Sequence, residues 1–209
     1  MEASPAERRP RNADWRVFCA LELPPKLAQR AIDHINRLRQ EFPGVSASWN
    51  RDGSFHVTLK FVGEIRPARV ERLSLAADRA IKNLSPFDLS LASSGAFPTK
   101  GTPRVLWLGI SDPSGKLARL QSRLEDEGAA EGFAKDDRSF HPHLTLARLR
   151  KPQGARALAT LHQEVGFAAI EFTVSELLVI RSELSSKGSK YSVISHHALK
   201  ASSERQPRD

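Results

Sequence analysis

Two tetrapeptides carry the residues best able to do chemistry: His56-Val57-Thr58-Leu59 and, 87 residues later, His143-Leu144-Thr145-Leu146. With seven His and six Thr in 209 residues, chance supplies well under one His-x-Thr, and both copies have an aliphatic residue inside and a leucine after. The spacing is too long for a solenoid repeat and suits one element used once in each of two related lobes. Side chains alternate along a strand, so His56, Thr58 and Lys60 are expected on one face, with Phe55, Val57, Leu59 and Phe61 on the apolar other. Likewise His143 and Thr145 should point away from Leu144 and Leu146. If the lobes face each other, two imidazoles and two hydroxyls meet in a cleft. Such a quartet suits metal-free hydrolysis of a phosphodiester. A neutral imidazole takes a proton from the attacking water, and an imidazolium on the far side protonates the departing oxygen. Histidine, with an ordinary pKa near 6.5, serves in either role, and each transfer is worth about 10²–10⁴ in rate. The threonine hydroxyls donate to the oxygens where negative charge gathers.

These residues need strands to hold them. Residues 15–21 read as a buried strand, and Pro24-Pro25 opens a helix with Leu27, Ala31, Ile35 and Leu38 on one face. Residues 54–61 form an alternating strand, and 66–83 a helix marked by Val70, Leu73, Ala77 and Ile81. Strands at 87–91 and 104–110 flank a Gly/Pro-rich loop at 95–103. Pro113-Ser114 starts a helix carrying Leu117, Leu120 and Leu124; 143–147 is a strand and 155–165 a weaker helix. Long strands at 170–180 and 191–199 close the chain around a turn at 185–188. Strands and helices are interspersed without a regular βαβ rhythm. The expectation is an α+β protein of mainly antiparallel sheet, with one domain over 14–199 between flexible tails at 1–13 and 200–209.

Composition narrows the classes. The chain is 40% hydrophobic and 27% charged, ordinary for a protein with a real core, which excludes disordered and fibrous architectures. Cys19 is the only cysteine, so an intrachain disulfide or a cysteine metal cluster is impossible. No apolar run reaches the roughly 18 residues of a membrane helix, and Arg16 and Glu22 interrupt the one stretch that resembles a signal peptide. A cytoplasmic monomer without membrane contact is expected. No Gly-rich nucleotide loop is present, which argues against ATP or dinucleotide chemistry. The formal charge is +8, and the tails contribute little of it. A basic folded body suits phosphate-bearing partners, above all RNA, although a merely solvated surface would carry the same charge.

The two His-x-Thr segments, in their flanks, resemble one family: the two-histidine phosphoesterases, and within it the bacterial and archaeal RNA 2′,3′-cyclic phosphodiesterases, also called 2′-5′ RNA ligases. The marks are residues 18–24 (FCALELP), 56–64 (HVTLKFVGE), 104–109 (RVLWLG) and 140–148 (FHPHLTLAR). The resemblance covers about residues 15–199. It implies a bilobal fold with pseudo-twofold symmetry and a basic central cleft, and opening of a 2′,3′-cyclic phosphate to a 2′-phosphate with O3′ leaving. A weak ATP-independent 2′-5′ ligation, the same acid–base pair run in reverse, is also implied; no cofactor is. By position, His56 matches the acid toward O3′, His143 the base that activates water, Thr58 and Thr145 the phosphate-binding hydroxyls, and Arg148 a phosphate contact. Strand parity, however, puts Arg148 opposite His143 and Thr145. Its role requires the strand to end or bulge near Ala147, or its side chain to curl back.

Other readings compete. His141 and His143 form a His-x-His that a metallohydrolase would use, but no nearby set completes a coordination sphere. A non-catalytic RNA-binding module would use the same basic cleft with salt-dependent affinity and no product. Arg104, before a buried strand, either flanks the core or contacts phosphate. Tyr191 and Phe61 suit stacking on a base, although strand aromatics are more often core. His34 and His162, on helices, are expected to be solvated, as are Arg69, Arg72 and Arg79; His196 and His197 are read as an exposed strand end. The RNA itself, whether a tRNA fragment, another RNA end or a small cyclic nucleotide, is not specified by the residues.

Overall fold

The computed structural model describes residues 14–51, 55–185 and 188–200, so the expected tails and the tip of the 185–188 turn lie outside the described residues. The elements run β1 (Trp15–Glu22), α1 (Pro25–Glu41), β2 (Ala47–Trp49), β3 (His56–Ile65), α2 (Val70–Ile81), β4 (Phe87–Phe97), β5 (Val105–Ser111), α3 (Lys116–Ala130), β6 (His143–Leu149), α4 (Ala155–Val165), β7 (Ile170–Val174), β8 (Glu176–Ser185) and β9 (Gly188–Ala198). The α+β reading holds. The loop expected from residue 95 starts later, because β4 runs on to Phe97 beside β5. Strand β2, three residues long, is too short to leave a periodic signal.

All pairings are antiparallel, in one curled nine-stranded sheet ordered β7-β4-β5-β6-β3-β1-β8-β9, with β2 beside β6. The two lobes are halves of this sheet. They join where β3 meets β6, through a single registered pair, Val57 with Leu144. Helices α2 and α3 pack behind the β3-β1-β8-β9 half, and α1 and α4 pack together behind the other. Each half thus takes one helix from the other's stretch of chain. The main core lies on the helix side, where Val17, Cys19, Leu106, Leu108, Leu120, Leu144 and Val179 are fully buried. Phe18, Ala20, Leu178 and Ile180, with Tyr191 against them, form a second, smaller cluster.

Local chemistry places the helices. Pro25 stands in the first turn of α1, where its missing N–H is not needed, and the Pro24 carbonyl accepts from Leu27 and Ala28. Helix α3 starts at Lys116 rather than Pro113 because Asp112 reaches forward to accept from the Leu117 and Ala118 N–H groups. Past its last residue, Ala130, Gly132 with a φ of +80° closes a Schellman motif in which the Phe133 N–H donates to the Gly128 carbonyl.

Several helix residues expected in solvent are not there. His34 and His162 are buried between α1 and α4, 2.9 Å apart, and His162 Nε2 donates to the Trp107 carbonyl at 3.0 Å. Burial, reinforced by neighbouring His162, pushes His34 down to about 4, so the pair is neutral and packs as core. His197 is also buried, bonded to Asp78 and Ser195, while His196 is exposed beside Glu176. Arg69 and Arg79 do keep solvent contact, yet Arg79 also bridges α2 to Glu127 of α3 and to Glu131 just past its end, and Arg69 lies over the Phe133 ring.

Candidate active site

The single β3–β6 pair decides the geometry of the site. Directly opposite residues of an antiparallel ladder share a face, so Val57 and Leu144 both point into the core. One step either way, His56 stands against Thr145 and Thr58 against His143, on the cleft side. All four are half-buried. The histidines are diagonal neighbours, which in such a ladder are about 7–8 Å apart between backbones. That register brings the two His-x-Thr segments side by side on one face of the sheet.

Each copy continues through the same irregularity. Along β3, Cys19 pairs with Lys60 but Ala20 with Thr58, which leaves Leu59 as an extra residue. Along β6, Leu106 pairs with Ala147 but Trp107 with Thr145, which leaves Leu146 extra. A bulge of this kind resets alternation. Leu146 and Ala147 are accordingly both buried, and Arg148 emerges exposed on the side of His143 and Thr145. The obstacle that strand parity set against Arg148 is thus removed by a bulge at the residue before Ala147.

The equivalent bulge in β3 corrects the alternation expected there. Lys60 does not share the face of His56 and Thr58. It is 2% exposed on the core side, bonded to Glu125 of α3 and to the Ala134 carbonyl. Phe61 is not core but 44% exposed, in the position matching Arg148. Arg104 stands just before β5. It is exposed at the mouth of β5, with the parity of Leu106 and Leu108, its backbone tied to Phe97 and Leu149.

The two histidines are held differently. His143 Nδ1 donates to the His141 carbonyl at 2.7 Å, so Nε2 is the nitrogen with the free lone pair. Burial pushes its pKa below the ordinary histidine value; the bond to His141 opposes this, and the charge of Arg148 adds to the lowering. The rings of Phe97 and Trp107 flank it at 5.2 and 6.5 Å. The His56 ring lies against Phe18 at 4.7 Å and Tyr191 at 4.9 Å. Across the ladder His56 faces Glu22, whereas His143 faces Gly109. The two histidines thus differ in their register partners, and the charge of Arg148 acts on His143.

Sequence reading missed the packing that fixes these rings. Phe18, Tyr191, Phe97 and Trp107 come from four strands, and Asn50, following β2, donates to the Thr145 carbonyl at 2.7 Å. Phe18 and Trp107 fall within the marks of the family resemblance, but nothing local in the sequence shows that these rings meet the two imidazoles. Among the described residues, no group of three His, Cys, Asp or Glu is placed to hold a metal ion. The Cys19 thiol is pushed up to about 12 by burial, so it is inert as a nucleophile.

A curled sheet with two facing His-x-Thr strands is the architecture of a two-histidine phosphoesterase. The chain belongs to the 2′-5′ RNA ligase superfamily, whose model matches residues 23–185. It is 31% identical over 176 residues to a protein of Aeropyrum pernix named RNA 2′,3′-cyclic phosphodiesterase, covering 82% of this chain and 97% of that one. An Escherichia coli protein of the same name is 30% identical over 159 residues, 76% of this chain and 85% of its own. Among solved structures, TT0787 of Thermus thermophilus superposes with a TM-score of 0.73 at 25% identity, covering 90% of this chain and 99% of that chain. Escherichia coli LigT complexed with 3′-AMP superposes with a TM-score of 0.68 at 26% identity, covering 89% and 98%.

Proposed function

We propose that this protein opens RNA 2′,3′-cyclic phosphate ends to 2′-phosphomonoesters without a metal, using His143 as base and His56 as acid. Water is deprotonated by His143 Nε2 as its oxygen bonds to phosphorus. The bond from phosphorus to O3′ breaks on the opposite side, and His56 supplies the proton to O3′. Thr58 and Thr145 donate to the non-bridging oxygens, and Arg148 balances their charge. The water proton ends on His143 and the His56 proton on the product, so solvent exchange resets the pair.

The observation that carries this reading is the antiparallel abutment of the two His-x-Thr strands, with neighbours that differ in charge. Glu22 suits an imidazolium at His56, while the bond from His143 to a carbonyl suits a neutral base with Nε2 unprotonated. The names of the relatives support the same reaction and an RNA substrate. Both copies lie in one chain, so a single protomer supplies the whole pair. A 5′-hydroxyl in place of water would make the same residues a weak ATP-independent 2′-5′ ligase.

The test is turnover of an oligonucleotide ending in a 2′,3′-cyclic phosphate, with EDTA present. Undiminished activity and accumulation of the 2′-monoester are expected. His56→Ala and His143→Ala should each cost about 10²–10⁴ in kcat. Full activity in either variant would sink the acid–base assignment, and loss of activity on chelation would sink the metal-free mechanism.

A further inference from the structure

We propose that Ser93, on β4, orients the attacking water for His143 and thereby favours water over an alcohol as the nucleophile. This rests on the phosphodiesterase reading, in which His143 takes the proton of the nucleophile. A water molecule carries two O–H groups, and only one of them is given to the base. The other needs an acceptor if the oxygen is to be held with its lone pair toward phosphorus. An alcohol has no second O–H to place.

The backbone of β4 sets Ser93 apart. Ala92 pairs with Gly109 and Ser94 with Leu108, which leaves Ser93 as the extra residue of a bulge. Its φ is +63°, in the left-handed region where glycine is the usual residue and a side chain is strained. A glycine would make the same bulge without that strain. What serine adds is one hydroxyl, and residues strained in this way cluster at active sites.

The neighbouring strand makes room for that hydroxyl. A Cβ on Gly109 would fall 2.5 Å from Ser93 Oγ and 3.1 Å from the Ala92 carbonyl oxygen, so any larger residue there would displace the serine. Ser93 Oγ therefore stands where a Gly109 side chain would have been. Gly109 is the register partner of His143. Side chains directly opposite in an antiparallel ladder are about 4.5–5.5 Å apart at Cβ, so the hydroxyl lies about that far from the root of the imidazole. The Trp107 ring flanks both, 3.4 Å from the same Cβ position and 6.5 Å from the His143 ring. Ser93 is exposed, and its hydroxyl makes no hydrogen bond among the described residues. Because His143 Nδ1 is committed to the His141 carbonyl, the nucleophile meets Nε2. A water held there gives one proton to the ring and donates its other O–H to Ser93 Oγ, which has lone pairs to accept it.

The test opens an oligonucleotide ending in a 2′,3′-cyclic phosphate in water containing methanol, and measures two products, the 2′-monoester and the 2′-methyl diester. Either nucleophile bonds to phosphorus through its oxygen, loses one proton to His143 and expels O3′, which His56 protonates. At a fixed methanol concentration, Ser93→Gly is expected to raise the ratio of methyl diester to monoester about threefold to tenfold, the worth of one hydrogen bond, by slowing hydrolysis. Ser93→Ala also lacks the hydroxyl but keeps the backbone strain, and should raise the ratio equally. A folding defect or a displaced His143 would slow both products and leave the ratio unchanged. A ratio that stays at the wild-type value in Ser93→Gly, or in Ser93→Ala, overturns the role of the hydroxyl. Failure of the wild type to hydrolyse the cyclic phosphate overturns the phosphodiesterase reading, and this inference with it.

Discussion

His143 shows how a single hydrogen bond selects a role. With Nδ1 committed to the His141 carbonyl, the ring offers Nε2 as its lone pair, and burial keeps that lone pair unprotonated below the ordinary histidine range. A base works only when neutral, so activity should rise as pH climbs through its pKa. Because that pKa is lowered, the acid limb of kcat/KM against pH is expected below the ordinary value of about 6.5. A limb at or above that value would mean that His143 is not the base in the free enzyme. Arg148 contributes to the lowering, so Arg148→Gln should move the limb toward higher pH as well as weakening phosphate binding.

At the scale of the strand, alternation is reliable only up to a bulge. His56, Val57, Thr58 and Leu59 follow the expected pattern, as do residues 143–146. Beyond them the extra residues Leu59 and Leu146 exchange the faces, which buries Lys60 and turns Phe61 and Arg148 into the cleft. No residue type announces these bulges, since each exists only relative to the register of the neighbouring strand. The buried Lys60 is sustained by Glu125, which its own sequence neighbourhood does not reveal. Glu125→Ala should leave a charge stranded in the core and cost about 3–5 kcal/mol in urea unfolding. A loss below about 1 kcal/mol would mean that the pair is not structural. The misplaced solvation of His34 and His162 has the same origin, because only packing brings α1 against α4.

For the whole molecule, charge and shape divide the cleft. Both imidazoles rest on aromatic rings, and beyond Thr145 the half carrying His143 also exposes Arg148 and Arg150, the latter bonded to Ser48. On a body of charge +8, an RNA strand should gain from neutralised phosphates that a cyclic mononucleotide lacks. The value of kcat/KM for a cyclic-phosphate oligonucleotide should therefore fall with salt more steeply than for the mononucleotide, by about 0.7 log unit per log unit of salt for each extra phosphate neutralised. Equal slopes would confine recognition to the terminal nucleotide. The sequence alone singled out the four side chains proposed to react, the α+β class and the basic character, because residue type and two-residue periodicity are local properties of the chain. Only the tertiary structure decided which side chains join the four. The single β3–β6 pair, the two bulges and the aromatic packing around each imidazole arise from contacts between segments far apart in sequence.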